Sequence, residues 1–158
     1  DRQWSRGLGD VYKRQEAMQC AVNVLNSIGA IGYVNEKNDP NKILNECQNK
    51  NIPILAIRAV QAGALTSSMD RKPHESGFDV EDFKDFETAL PFREYAKKVN
   101  ENPASLAHRY ALSQEKVSSV ILGVKNRKEL LECIKAESAG ELDKEMLANL
   151  NNLFKNMK

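Results

Sequence analysis

The sequence predicts an α/β fold in which parallel strands alternate with helices in one domain. Short apolar runs that suit buried strands are separated by stretches with apolar residues at helical spacing. A helix-start signal followed by a strand also occurs twice with equal spacing, because Pro40 to Ile54 and Pro103 to Val117 are each 14 positions. Successive units of a β/α barrel or of a layered α/β sheet produce such a repeat.

Each element of this series follows from a local pattern. Asp39-Pro40 and Asn102-Pro103 each place a capping side chain before a proline, which favours a helix start. The predicted strands are residues 18–25, 52–57 and 117–122, and the predicted helices are residues 40 to about 50, 91–99, 126–136 and 142–157, with a further helix from Pro103. No linker divides these strands and helices, so we expect one continuous series of α/β units and not two domains.

The composition limits the class of function. The chain has 158 residues, of which 41% are hydrophobic, and this excludes a disordered chain. With 23 basic and 22 acidic residues and no block of like charge, nothing indicates a nucleic acid or an anionic membrane as partner. No apolar run approaches the roughly 20 residues of a membrane helix. The three widely spaced cysteines argue against a disulfide framework and suit a reducing cytoplasm.

Residues 1–15 stand apart from the rest. The eleven consecutive residues SRGLGDVYKRQ resemble the translation of a transposon-type sequencing-library adapter. We therefore expect residues 1–15 to be adapter-derived and disordered, and residues 16–158 to come from a gene fragment without its N-terminal part. The alternative is a phosphate loop using Gly7 and Gly9, which needs a preceding strand that the sequence lacks.

A long insertion separates the two repeated units. Residues 66–87 are predicted to be a loop, and loops of this length are usually functional or mobile. The acidic residues in it are Asp79, Glu81, Asp82 and Asp85. We expect this acidic run to be a solvated face rather than a carboxylate pair.

The loop after the second predicted strand is a candidate binding loop, because binding loops of barrels follow the carboxyl ends of strands. Arg58 stands directly after that strand, where a guanidinium can hold a phosphate or carboxylate through two parallel hydrogen bonds. Gly63 would let a ligand approach the backbone closely. The alternative interpretation is a surface arginine and a turn glycine.

The loop after the third predicted strand is a candidate anion site. It begins at Gly123, and its cations are Lys125, Arg127 and Lys128. They lie at a helix start, where unpaired N–H groups and the helix dipole favour anions, above all phosphate. Helix stability alone would not select cations at this end. Asn126 and Glu129 also fit a capping box, which is the alternative role of Glu129.

Other kinds of site have weaker signals. His74 and His108 are the two histidines, and neither belongs to a metal-ligand spacing, so we expect no metal site. No nucleophile elbow and no Walker loop occur. Cys133 has no histidine near it in sequence, which argues against a catalytic thiol.

Four motifs stand out along the chain: QCAVN at 19–23, PILAIRAVQAGALT at 53–66, LAHRYALS at 106–113 and VILGVKNRKELLE at 120–132. By these motifs, residues 16–158 resemble the C-terminal half of an aldo-keto reductase. The resemblance implies the C-terminal part of a (β/α)8 TIM barrel of the NADP-dependent oxidoreductase type. It implies NADPH-dependent reduction of an aldehyde or ketone to an alcohol.

The resemblance also assigns cofactor-binding residues. Gln19 falls near the nicotinamide, and Ile57 replaces the aromatic residue that often stacks on that ring. Arg58 replaces a common serine and is expected to contact the cofactor phosphates. Gly63 lies on the pyrophosphate loop. Met69, Phe78 and Phe83 are candidate apolar lining for the carbonyl substrate, the alternative being a surface flap.

The adenosine end of the cofactor falls on the second loop. Gly123, Val124 and Lys125 match the segment that holds the 2′-phosphate and ribose, and Lys125 favours NADP over NAD. Glu129 stands where glutamine or arginine is common, and Glu132 falls near the adenine amine. Cys133 replaces a common asparagine, which weakens the adenine contact.

The catalytic residues of the family are expected elsewhere. A tyrosine gives the proton with an aspartate, a lysine and a histidine arranging it, on the first half of the barrel, and no matching positions occur in this sequence. A barrel needs about 250 residues. We therefore expect a chain that is inactive alone and whose partner is the missing N-terminal half of its barrel. Two alternatives remain: a non-catalytic nucleotide- or phosphate-binding module, and a phosphate-binding barrel enzyme such as a lyase or isomerase.

Overall fold

Three short strands form a parallel sheet in the order β1-β2-β3. The computed structural model describes residues 16–29 and 39–154. The strands are β1 Met18–Ala21, β2 Ile54–Ile57 and β3 Val117–Val120. Met18 and Val117 both lie opposite Ile54, so the three strands start at a common level and their carboxyl ends reach the same edge of the sheet. The predicted disorder of residues 1–15 concerns a segment outside the described residues.

Six α-helices connect and cover these strands within the described ranges. They are α1 Pro40–Asn49, α2 Val80–Thr88, α3 Leu90–Lys98, α4 Pro103–Leu112, α5 Arg127–Ala139 and α6 Lys144–Asn152. The two predicted capped starts are confirmed. Asp39 accepts a hydrogen bond from the Asn41 N–H at 3.0 Å, and Asn102 accepts one from the Ala104 N–H at 2.9 Å.

The strands are shorter than the apolar runs that predicted them. After β1 the chain turns at Asn23, which accepts a hydrogen bond from the Asn26 N–H at 3.1 Å. Val22 and Val24 are nevertheless buried, because the loop after the strand folds into the core. The apolar run that starts in β1 therefore indicates buried residues that continue past the last residue paired in the sheet.

The prediction that residues 66–87 are a loop is wrong in its second half, because α2 occupies Val80–Thr88 and is followed directly by α3. Glu81 and Asp82 lie in the first turn of α2, where carboxylates suit the helix dipole. The expectation of a solvated acidic face is also wrong, since Asp79 and Asp82 are buried, at 1% and 4% exposure. Buried carboxylates need partners, which two arginines provide here.

Two apolar clusters hold the layers together. The first packs α3, α4 and α6 against the loop after β2, with Phe92, Leu65, Leu106 and Leu150 fully buried. The second lies between the sheet and helices α1 and α4, with Ile54 and Ala56 fully buried. The middle strand β2 therefore contributes to the second cluster, whereas the first is built from helices and loops.

The β3 side of the sheet carries an exposed apolar face. Its members are Ile121, Leu122, Leu130, Leu131 and Ile134, with exposures from 41% to 50%. In the described sheet β3 has β2 as its neighbour on one side only. An exposed strand edge beside apolar side chains is a surface suited to pairing with a further strand.

Candidate functional site

The loops that follow β2 and β3 meet in a small cleft, which we call the β2–β3 cleft. It is lined by Val60, Thr66, Ala104, Ser105, His108, Gly123, Val124, Glu129, Glu132 and Cys133. Its volume is about 80 Å³. Cofactor pockets usually hold roughly 300 Å³ or more, so a nucleotide would have to part these walls to enter.

The N-terminus of α5 forms one wall of the cleft and is already capped. The Asn126 Oδ1 accepts from the Glu129 N–H at 3.0 Å, and the Asn126 side-chain amide donates to the Glu129 carboxylate at 2.9 Å. The same carboxylate accepts from the Lys125 N–H at 2.8 Å. The predicted pairing of Asn126 with Glu129 is confirmed, and it places a negative charge where the sequence alone predicted an anion site.

Lys125 joins the two loops through an ion pair. Its ammonium group binds the carboxylate of Asp70, which lies in the segment after β2. Both side chains are more than half exposed, and the hydrogen bond from Lys125 lowers the pKa of Asp70. A phosphate that binds at Lys125 would have to replace this carboxylate.

Arg58 points toward α2 instead of toward the cleft. Its guanidinium binds Asp82 and donates to the Gln61 Oε1 at 3.1 Å. Gln61 is fully buried and donates in turn to Asp85 at 2.7 Å and to Ser27 at 3.1 Å. These contacts begin a polar network over the ends of β1 and β2, which we call the Arg58 network.

The second part of the Arg58 network fastens the segment before α2. Arg71 binds Asp79 and donates to Asp82 at 3.0 Å, while its guanidinium lies 5.0 Å from the ring centre of Phe83. The pKa of Asp79 is lowered by the hydrogen bond from the His74 N–H and then by Arg71. The three-residue spacing of Asp79, Asp82 and Asp85, from the residue before α2 along one face of that helix, is a signal of this network that the sequence analysis did not use.

The turn after β2 has an unusual backbone. Arg58, Gln61, Ala62 and Gly63 all have positive φ, with values of 56°, 47°, 49° and 98°. A positive φ is a strained backbone conformation for residues other than glycine. The hydrogen bonds and ion pairs of the Arg58 network hold the turn in this conformation. A Cβ atom at Gly29 would collide with members of the network, so the loop after β1 also requires glycine at its contact with the turn.

His108 and Cys133 meet inside the cleft although they are 25 positions apart. The Cys133 Sγ lies 3.5 Å from the His108 Nε2. Burial lowers the pKa of His108, whereas burial and the charges of Glu132 and Glu129 raise the pKa of Cys133. The pair is therefore a neutral thiol beside a neutral imidazole. No sequence pattern predicted this contact, because the two residues lie on different helices.

No metal centre or membrane helix emerges from the described parts of the chain. Within residues 16–29 and 39–154, no three histidine, cysteine or acidic side chains are grouped so as to bind a metal ion. None of the helices described there has the length and apolarity to cross a membrane. All three cysteines are free thiols.

A protein-family model, that of the aldo/keto reductase family, matches residues 12–155. The chain belongs to the aldo-keto reductase family. Among curated proteins, no match to the sequence was found.

Solved aldo-keto reductases share the fold of this chain. The thermostable aldo-keto reductase Tm1743, in complex with the inhibitor epalrestat, is 18% identical with a TM-score of 0.57, and the match covers 92% of this chain and 43% of that one. The holo form of the aldo-keto reductase AKR11C1 from Bacillus halodurans is 15% identical with a TM-score of 0.61, covering 93% and 44%. The apo form of AKR11C1 is 15% identical with a TM-score of 0.60, and the match covers 93% of this chain and 47% of that one. The chain thus spans less than half the length of these structures.

The structure of this aldo-keto reductase chain brings together part of the predicted cofactor set. Gly123, Val124, Glu129 and Glu132 line the β2–β3 cleft. Lys125 stands beside them, bound to Asp70, and Gly63 lies in the turn after β2.

Two predicted cofactor residues lie away from the cleft. Gln19 is exposed on β1, opposite Leu55, and Arg58 is engaged by the network. The cofactor contacts of all eight predicted residues remain predictions.

Proposed function

We propose that this chain is the C-terminal, cofactor-binding part of a (β/α)8 barrel that reduces an aldehyde or ketone to an alcohol with NADPH. The observation that carries the proposal is the meeting of two strand-end loops in the β2–β3 cleft of an aldo-keto reductase fold. Crevices at the carboxyl ends of parallel strands are where such barrels bind their ligands.

The residues in and beside the cleft fit an adenosine phosphate. Lys125 is an exposed cation beside the cleft and suits a 2′-phosphate, which favours NADP over NAD. Inside the cleft, Glu132 is a carboxylate that can accept from an exocyclic amine. When bound, the reduced cofactor supplies the hydride. The residues of this chain would hold and orient it.

The proton-transfer residues would come from the partner half of the barrel. The exposed edge of β3, and the apolar side chains of α5 and of the two residues directly after β3, support docking of such a half. The free thiols support a reducing, cytoplasmic location. Of the three candidate residues for the carbonyl substrate, Phe83 contacts the Arg71 guanidinium and the exposed Phe78 contacts the His74 ring at 4.8 Å, so Met69 is the candidate without such a contact described.

Titration calorimetry of the purified 158-residue chain tests the proposal. We expect NADPH and 2′,5′-ADP to bind more tightly than NADH, since NADH lacks the phosphate that Lys125 would bind. Asp70→Asn should tighten NADPH binding by about two- to fivefold at low salt, the scale of an exposed ion pair, and Lys125→Gln should weaken it.

A matched control is available on the surface. Lys84 and Glu81 form an exposed pair with side-chain exposures of 61% and 56%, close to the 61% and 54% of Lys125 and Asp70. Lys84→Gln and Glu81→Gln should leave binding unchanged. A chain that binds neither NADPH nor 2′,5′-ADP would overturn the proposed cofactor, and equal responses of the two pairs would overturn the role of Lys125.

Sequencing the source gene across the Gln15–Glu16 junction from intact template tests the barrel part of the proposal. A further half-barrel upstream, with an aspartate, tyrosine, lysine and histidine at strand ends, is the expected result. A start codon close to Glu16 would instead give the lead to a non-catalytic nucleotide-binding module.

A further inference from the structure

His108 is a buried imidazole whose hydrogen-bonding capacity is poorly used. It is 9% exposed on α4 and lines the β2–β3 cleft. Its Nδ1 is buried without a hydrogen-bond partner in the described structure, and its Nε2 has the Cys133 sulfur at 3.5 Å. Sulfur is a weak donor and a weak acceptor. Nε2 is therefore the nitrogen at which a ligand atom that hydrogen-bonds more strongly than sulfur can improve on the contact present.

The surroundings of His108 select the chemistry of that ligand. Glu132 and Glu129 both line the cleft, and their charge disfavours a second anion there. Because Glu129 already accepts from Asn126 and Lys125, Glu132 is the carboxylate that favours a group with N–H donors. The walls next to them include the apolar side chains of Val60 and Val124. An uncharged planar ring with an amino group matches this combination.

The protonation state of His108 fits the same ligand. Because burial lowers its pKa, the imidazole is neutral and offers one donor and one acceptor nitrogen. A neutral imidazole can bind a ring nitrogen of a purine, whereas a phosphate would call for a cation. Lys125, beside the cleft, is a cation available for the phosphate.

We propose that His108 is a specificity-determining residue that hydrogen-bonds the purine ring of the cofactor through Nε2, with the purine nitrogen replacing the Cys133 thiol as its partner. Glu132 would accept from the amino group of the same ring. This inference rests on the proposed adenine-nucleotide cofactor.

Binding of two probes separates the purine from the 2′-phosphate. 2′,5′-ADP carries both, and 5′-AMP carries the purine without the 2′-phosphate. His108→Leu should weaken both ligands by about tenfold, near the contribution of one hydrogen bond, and should leave the ratio of their affinities unchanged. His108→Gln, which keeps a donor and an acceptor, should restore most of the affinity. The exposed His74 supplies the control, and His74→Leu should bind as the wild type does.

A spectroscopic measurement on the wild type avoids any folding defect of the variants. The chain contains two histidines, so side-chain nitrogen resonances of His108 and His74 are readily distinguished by NMR. On addition of 2′,5′-ADP, the Nε2 resonance of His108 should shift while those of His74 stay in place.

The outcomes separate this inference from the proposed function. A wild-type chain that does not bind 2′,5′-ADP overturns both. A chain that binds 2′,5′-ADP with no shift at His108, or equally well after His108→Leu, overturns the role of His108 and leaves the proposed cofactor standing.

Discussion

Replacement of Asp82 by alanine tests how strongly the Arg58 network holds α2 to the strand ends. The Asp82 side chain is 5% exposed and binds Arg58, whose own side chain is 16% exposed. Alanine would leave the Arg58 guanidinium buried beside Gln61 without that carboxylate. Breaking a buried pair by removing one partner costs about 3–5 kcal/mol, because the remaining charge is uncompensated. We expect a decrease of this size in the free energy of unfolding.

Because of the network, we expect the substitutions of Arg58 and of Asp82 to differ in their effect on the free energy of unfolding. After Arg58→Ala, Asp82 keeps the Arg71 guanidinium at 3.0 Å, so its charge stays compensated. We therefore expect Arg58→Ala to cost about 1–3 kcal/mol, the range for a lost buried hydrogen bond. The double variant should cost less than the sum of the single changes, since neither charge is left alone.

Urea unfolding at 25 °C measures these differences. Domains are stable by roughly 5–15 kcal/mol, so Asp82→Ala leaves a measurable folded population in most of that range. Glu81→Ala is the matched control, because Glu81 precedes Asp82 on α2 and its side chain is 56% exposed. If Asp82→Ala costs less than about 1 kcal/mol, as expected of an exposed pair, the network does not hold α2 as argued.

Three further changes test the core, the cleft and the response to acid. Phe92→Ala should cost about 3–5 kcal/mol in urea unfolding because Phe92 is fully buried, while the exposed Phe78→Ala should cost little. Asn126→Ala removes the α5 cap and should cost about 1 kcal/mol, with faster amide hydrogen exchange in the first turn of α5. The pKa of Asp79 is lowered below 3.8 by the His74 N–H and Arg71, so its stabilisation is full above pH 3.8 and is lost as the pH falls through its folded pKa. Asp79→Asn should therefore flatten the loss of stability below pH 3.8, measured by urea unfolding across that range.

The elements that the sequence predicted well depend on neighbouring residues. The helix starts at Pro40 and Pro103 follow from an Asp or Asn cap one position earlier, and both caps form. The Asn126–Glu129 pair is three positions apart and also forms. Local hydrogen bonds of this kind can be predicted from a sequence because both partners are close along the chain.

The features that the sequence missed depend on distant partners. Arg58 and Asp82 are 24 positions apart, and Lys125 and Asp70 are 55 apart. A run of acidic residues is solvated unless a cation from another element pairs with it. The periodicity of a sequence does not indicate which element supplies that cation. The burial of Asp79 and Asp82 therefore became visible only in three dimensions.

The same long-range pairs limit how the proposed cofactor site would work. Two of the cations that the sequence offered to a phosphate, Arg58 and Lys125, are bound to carboxylates of the chain itself, and Glu129 caps the nearby helix. The other two, Arg127 and Lys128, are exposed at the start of α5. The attraction for a phosphate is then the difference between two ion pairs. For the buried Arg58 pair that exchange is costly, whereas for the exposed Lys125 pair it is nearly neutral. Phosphate recognition is therefore expected at Lys125, and the affinity that an exposed pair cannot give would have to come from the adenosine end, which we propose is bound by His108 and Glu132.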